Sequence, residues 1–169
     1  MDIPNNIEKQ SQILGFSGEF RFLSNFHPVA IEYAGHKFGS TEAAYQAAKA
    51  KNPEDIAKFV GINAGASKRL GRTIELREDW DQIKDAVMFQ FTCQKFLVDK
   101  ELRAQLLATG DSYIEETNFW HDIYWGVDGK TGKGKNQLGK TLMYVRGLLG
   151  GTGIVEKVPE SEQLELGTL

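Results

Sequence analysis

Cysteine is almost missing from this chain of 169 residues: Cys93 stands alone. A disulfide framework and a thiolate cluster for zinc or iron–sulfur are thereby excluded, and a reducing compartment is the natural setting. Histidine is scarce too, and His27, His36 and His121 show no ligand spacing, so neither a metal nor a cofactor is expected. No apolar run approaches the roughly 18 to 20 residues of a membrane span. The start, MDIPNNIEKQSQ, lacks the basic residues and apolar centre of a secretory signal. A soluble, cytoplasmic protein without membrane partners is the expectation. A large excess of positive charge is also absent. With 20 basic against 23 acidic residues and a pI near 5.7, the broad basic face of a general nucleic-acid binder is missing. What is present is 41% apolar residues in 18.9 kDa, enough for one core without cross-links.

The charges are segregated. Lys130, Lys133, Lys135, Lys140 and Arg146 crowd one segment, Lys68, Arg69, Arg72 and Arg77 another, while the tail carries Glu156, Glu160, Glu162 and Glu165. Two basic segments in an acidic protein point to a local anion site, most simply for a phosphate, although solvated surface lysines explain any one of them equally well.

Residues 1–14 are polar and read as a flexible N-terminal segment, residues 15–150 as one domain, and residues 151–169 as an acidic, disordered tail. Val29 to Tyr33 alternates like a strand and turns at Ala34-Gly35-His36. Ser40 or Thr41 can cap an alanine-rich helix through Lys49, and Asn52-Pro53 starts another. A loop and short helix occupy Gly61 to Arg72. Asp79 with Gln82 resembles a capping box ahead of a long helix whose Ile83, Ala86, Val87, Phe91 and Leu97 recur at helical spacing. A shorter helix runs from Leu102 to Ala108, Tyr113 to Thr117 reads as a strand, and Asn136 can cap a last helix striped by Leu138, Leu142, Val145 and Leu149. The fold class is therefore α+β: a compact, predominantly helical single domain with a few short strands.

Gly134-Lys135-Asn136-Gln137-Leu138-Gly139-Lys140-Thr141 matches the phosphate loop of nucleotide hydrolases letter for letter. Its context refuses that role. A buried strand must precede such a loop, and Asp128 to Lys133 cannot form one. A lysine-rich loop feeding a helix N-terminus remains, which can still hold an anion.

Two clusters look chemical. On a helical wheel Glu42, Tyr45, Gln46 and Lys49 share one arc, with alanines around the rest. That polar face either looks into a cleft or forms a solvent stripe complementing the helix dipole. Glu115, Glu116, Asn118, His121 and Asp122 lie among Trp120, Tyr124 and Trp125. Carboxylates beside such rings can stabilise a cation-like intermediate, or the segment is a surface loop whose aromatics plug the core.

Phe22-Leu23-Ser24-Asn25-Phe26, Ser40-Thr41-Glu42-Ala43-Ala44-Tyr45-Gln46, Leu70-Gly71-Arg72, Trp80, Lys95-Phe96, Glu115, Asp122 with Trp125-Gly126, and Gly132 through Gly139 together resemble the YbiA-like, or NADAR, family. The resemblance runs in order from about residue 15 to 150 and absorbs the phosphate-loop-like string. It implies an N-glycosidase that hydrolyses the bond from ribose C1 to an amino nitrogen. The implied substrates are a phosphoribosylamino-pyrimidine intermediate of riboflavin synthesis, or guanine carrying ADP-ribose in DNA or RNA. A non-catalytic ADP-ribose or nucleotide-binding module is the alternative. On this resemblance Glu42, Glu115 and Asp122 are the expected carboxylates for charge stabilisation and proton transfer, and Lys49 supplies an electrostatic or imine-forming amine. Lys68, Arg72, Lys133, Lys135 and Asn136 are expected at phosphate, Phe22, Trp80, Trp125 and Gly126 around the base, and Asn25 and Gln46 on sugar or ring.

Overall fold

Local capping starts the central helix. The Ser40 hydroxyl accepts the N–H of Ala43 at 3.1 Å, and the Asn25 carbonyl accepts that of Glu42 at 3.0 Å, satisfying donors that a helix start leaves unpaired. The computed structural model describes residues 11–158, and within it α1 (Thr41–Ala48) is buried along its whole length. Its alanines allow close approach from all sides. At one point a Cβ on Gly71 would run into the Gln46 side chain, so only glycine lets the next helices close on α1 there.

Around α1 the chain adds α2 (Pro53–Ile56), α3 (Ala64–Leu70), α4 (Trp80–Val98), α5 (Lys100–Ala108) and α6 (Gln137–Leu148). Three two-stranded sheets complete the domain. In chain order the strands are β1 (Gln12–Leu14), β2 (Pro28–Tyr33), β3 (His36–Ser40), β4 (Tyr113–Glu115), β5 (Thr117–Asn118) and β6 (Val127–Asp128). The β2–β3 pair is an antiparallel hairpin whose Ala34 and Gly35 both adopt positive φ, 48° and 78°, the twist that two-residue hairpin turns need. β1 pairs with β4 and β5 with β6, both in parallel. Phe38, Phe59, Phe91, Phe96, Leu106, Ile114, Leu138 and Met143 are buried in one continuous core. The class is α+β, dominated by helices, as the composition and periodicity indicate.

Several details differ from the local reading. Gln12–Leu14, assigned above to the flexible N-terminal segment, forms β1 and pairs with β4; residues 1–10 lie outside the described residues. Residues 151–158 of the tail have no regular structure but are tied to the domain. Arg146 donates to the carbonyls of Thr152 and Gly153, and Lys157 reaches Glu115 at 3.1 Å; residues 159–169 are not among those described. Phe20 to Leu23 belongs to a 3-10 helix, Gly18–Leu23, ahead of the hairpin. The capping box before α4 is not formed, because the Asp79 carboxylate instead receives two hydrogen bonds from Arg77, at 2.6 and 2.9 Å. On α4 the buried face is Trp80, Met88, Phe91, Thr92, Lys95 and Phe96, while Leu97 is exposed.

The phosphate-loop-like string has a packing explanation. A Cβ at Gly134 would collide with the Gly126 carbonyl, and one at Gly139 with the Ile114 carbonyl and the Asn136 amide. These glycines let α6 close against β4 and its neighbours. Asn136 does not cap α6. Its buried side chain accepts the N–H of Glu116 at 3.1 Å and donates to the Tyr113 hydroxyl and the Ile114 carbonyl, at 3.1 and 2.8 Å.

Candidate active site

One face of α1 from Glu42 to Gln46 with the following Lys49, the start of α4, residues of the Leu14–Phe26 stretch and the segment from Glu116 to Trp125 surround a cavity of about 970 Å³. Its floor is aromatic. Tyr45 meets Trp80 edge to face at 5.0 Å and Trp125 at 5.6 Å, and the Lys49 ammonium lies 5.2 Å from the Tyr45 ring and 5.9 Å from the Trp80 ring. Ring faces of this kind attract cations.

Glu42 lies one helical turn from Gln46, whose amide donates to its carboxylate at 2.8 Å. Burial pushes the Glu42 carboxyl up, against the pull of Gln46, Lys68 and Lys49. Glu116 lines the same cavity, and its carboxyl is pushed up to about 7 by lost hydration, with Asp122 and Glu42 adding to the rise and Lys68 opposing it. Lys49 moves in the other direction: burial lowers its ammonium, Glu42 offsets part of that, and Lys68 and Arg72 add to it. Asp122 also lines the cavity, and its Oδ1 accepts the backbone N–H groups of Tyr124 and Trp125 at 3.0 and 2.9 Å, fixing the Trp125 backbone.

Of the residues singled out from sequence, Glu42, Lys49, Asp122, Asn25, Gln46, Lys68, Trp80 and Trp125 all line this one cavity. The polar arc of α1 therefore faces a cleft and does not form a solvent stripe. Glu115 is placed elsewhere: its buried carboxylate accepts hydrogen bonds from Tyr113, Thr117 and Lys157, at 3.2, 2.8 and 3.1 Å. Phe22 is core. Gly126 packs so tightly that a Cβ would collide with the Glu116 carbonyl. Arg72 is exposed, close enough to Lys49 to act on it but off the cavity wall. Lys133 is exposed; Lys135 sits over the outer ring of Tyr124 at 5.0 Å, and neither lines the cavity. Asn136 acts as the internal brace described above.

Glu116 and Trp120, members of the second cluster to which no role was assigned, also line the cavity, as do Arg21, Lys84 and Phe119, which no sequence signal points to as site residues. Strand alternation carries no signal for Glu116, because Tyr113, Ile114 and Glu115 are all buried and β4 shows no solvent face. Among the described residues no group of three His, Cys, Asp or Glu side chains is arranged to hold a metal ion, and no helix is long and apolar enough to cross a membrane.

An α+β domain presenting carboxylates, an amine and edge-to-face aromatic rings to one cleft has the makings of a small-molecule or nucleotide site. The NADAR domain family profile matches residues 10–150, and the chain belongs to that family. It is 40% identical to the N-glycosidase Npun_R5314 of Nostoc punctiforme, over 79% of this chain and 91% of that protein. It is 36% identical to the N-glycosidase YbiA of Escherichia coli K12, over 81% and 88%, and the solution structure of E. coli YbiA superposes with a TM-score of 0.74 at 30% identity, covering 88% of this chain and 93% of that one. It is also 39% identical to the riboflavin biosynthesis protein VVA0006 of Vibrio vulnificus, over 74% of this chain but 34% of that longer protein. The chain is accordingly a hydrolase acting on N-glycosyl bonds.

Proposed function

We propose that this protein hydrolyses the bond between ribose C1 and the amino nitrogen of a phosphorylated N-riboside carrying a guanine-like ring. The substrate is either a phosphoribosylamino-pyrimidine or ADP-ribosylated guanine. The observation that carries the reading is the convergence of Glu42, Glu116 and Lys49 on one aromatic-floored cavity.

Breaking this bond leaves positive charge on the sugar, and the departing nitrogen needs a proton. Two carboxyl groups that share one poorly hydrated cavity do not both ionise readily. Burial raises both groups, but Glu42 has the Gln46 donor and the Lys68 and Lys49 ammonium groups to favour its anion against Asp122, whereas Glu116 has Lys68 alone against Asp122 and Glu42. In this reading the Glu42 carboxylate stabilises the cationic sugar and receives a proton from the attacking water. Protonated Glu116 delivers its proton to the leaving nitrogen. The products are the free amine and the C1 hydroxyl. Lys49, its ammonium made easier to deprotonate, holds the ring-opened sugar electrostatically or as an imine formed with loss of water. Lys68 holds the phosphate, and Asp122 keeps the Trp125 segment in place.

The test is release of free base, followed by chromatography, from both substrates. Glu42→Gln is expected to lower turnover by at least about 10²-fold with the fold intact, the contribution of one general acid or base group. Retained turnover in that variant removes Glu42 from the chemistry, and no base released by the wild type from either substrate refutes the reading.

A further inference from the structure

The reaction above leaves one buried amine unused. Lys95, on α4, is 1% exposed, and no carboxylate among the described residues pairs with it. Lysine is rarely buried unpaired, because stripping water from its ammonium is costly. A methionine would fill the same space without that cost, so packing gives no reason for an amine here.

What the amine holds is the turn Ser24-Asn25-Phe26. Its Nζ donates to the Ser24 carbonyl at 2.9 Å, and the same carbonyl accepts the N–H of His27 at 3.1 Å. Ser24 ends the 3-10 helix, and its hydroxyl accepts the N–H of Phe26 at 3.1 Å. A second tether comes from Met88, seven residues earlier and on the same face of α4: the Asn25 amide reaches its sulfur at 3.4 Å. The turn leads to the reacting centre in two ways. The Asn25 carbonyl accepts the Glu42 N–H at 3.0 Å, which fixes where α1 starts and where the Glu42 side chain leaves it. The Phe26 ring lies 5.7 Å from the Lys68 ammonium, whose charge acts on both Glu42 and Glu116. Ser24, Asn25 and Phe26 all line the cavity, whereas Lys95 stands behind them.

We infer that Lys95 is a positioning residue for the reaction: by anchoring the Ser24 carbonyl it holds the Asn25 carbonyl against the first turn of α1 and so sets the Glu42 carboxylate. The inference rests on the glycosidase reading and adds to it a group that never meets the substrate. A shift of about 1 Å at a reacting group costs up to about 10²-fold in rate, so the loss of one such tether is large enough to measure.

The experiment compares the full chain as wild type, Lys95→Met and Lys95→Gln in amide hydrogen exchange and in steady-state base release. In the wild type the Glu42 amide is expected to be protected. In Lys95→Met its exchange is expected to rise by about tenfold or more while amides in the middle of α6 keep their protection, the pattern of a local opening. There kcat is expected to fall by about 10- to 10²-fold with KM within about threefold, as for a contact felt in the transition state. Lys95→Gln, which retains a donor, recovers part of both losses. An unprotected Glu42 amide in the wild type overturns the inference even if neither variant folds. Unchanged Glu42 exchange or unchanged kcat in Lys95→Met overturns it too, as does a change confined to KM or a Lys95→Gln variant no better than Lys95→Met. The two readings fail separately. Base release with kcat indifferent to Lys95 defeats the positioning role alone, whereas Lys95-dependent protection of Glu42 without base release from either substrate by the wild type defeats the glycosidase reading.

Discussion

Glu115 and Glu116 are neighbours in the chain that serve opposite sides of the wall formed by β4: Glu116 faces the cavity, while Glu115 is held by Tyr113, Thr117 and Lys157. Substitution separates them. Glu116→Gln is expected to lower kcat by about 10² or more without loss of stability, since a proton donor is removed. Glu115→Ala is expected to lower stability by about 1–3 kcal/mol, because donors to a buried carboxylate lose their acceptor, with base release retained. Thermal melts and steady-state rates on the two variants distinguish these outcomes.

Glu116 also sets a pH dependence. Its carboxyl is raised to about 7 in the folded protein, so its acid form declines as pH rises through that value. The wild-type rate is expected to fall on the alkaline side of about pH 7, and Glu116→Gln to lack that limb. The same group affects stability. Because its folded pKa lies above the unfolded value, its contribution is full below the unfolded pKa and is lost as pH rises through about 7. A pH–rate profile with no limb near 7 removes Glu116 as the acid.

Lys95 on α4 shows the opposite linkage. Its side chain is almost fully buried, its ammonium donates to the Ser24 carbonyl at 2.9 Å, and burial lowers it to about 7. Between about pH 7 and the usual lysine range near 10.5 the unfolded chain binds a proton that the folded chain does not. Stability therefore rises with pH across that window. Lys95→Met is expected to abolish that rise, about 1.4 kcal/mol for each pH unit of the window at full effect. Denaturant melts at pH 7, 8 and 9 on both proteins provide the check, and parallel pH curves would count against a neutral buried Lys95.

The helices that carry the site are legible in the sequence because their signals are local. Repeating alanines, the Ser40 cap and the stripe Leu138, Leu142, Val145 on α6 are of this kind, and local hydrogen bonding and periodicity are sufficient to form those helices. Glu42 and Lys49 are legible as members of one polar arc on α1. Whether that arc meets water or a cleft is not, because the answer depends on what packs beyond the alanines.

Residue type and spacing alone determined the helical scaffold, the lack of a partner for Cys93 within the chain, and the polar arc Glu42, Tyr45, Gln46 and Lys49 that meets the cleft. Tertiary structure alone decided that Glu116 and not Glu115 meets the cavity, that Asn136 braces β4 and does not cap α6, and that Phe119 and Trp120 stand exposed at the mouth. The physical reason is that a strand of three residues buried on every side has no polar face to read. The partners of an amide or a ring are chosen by segments that meet only after the chain has closed on itself.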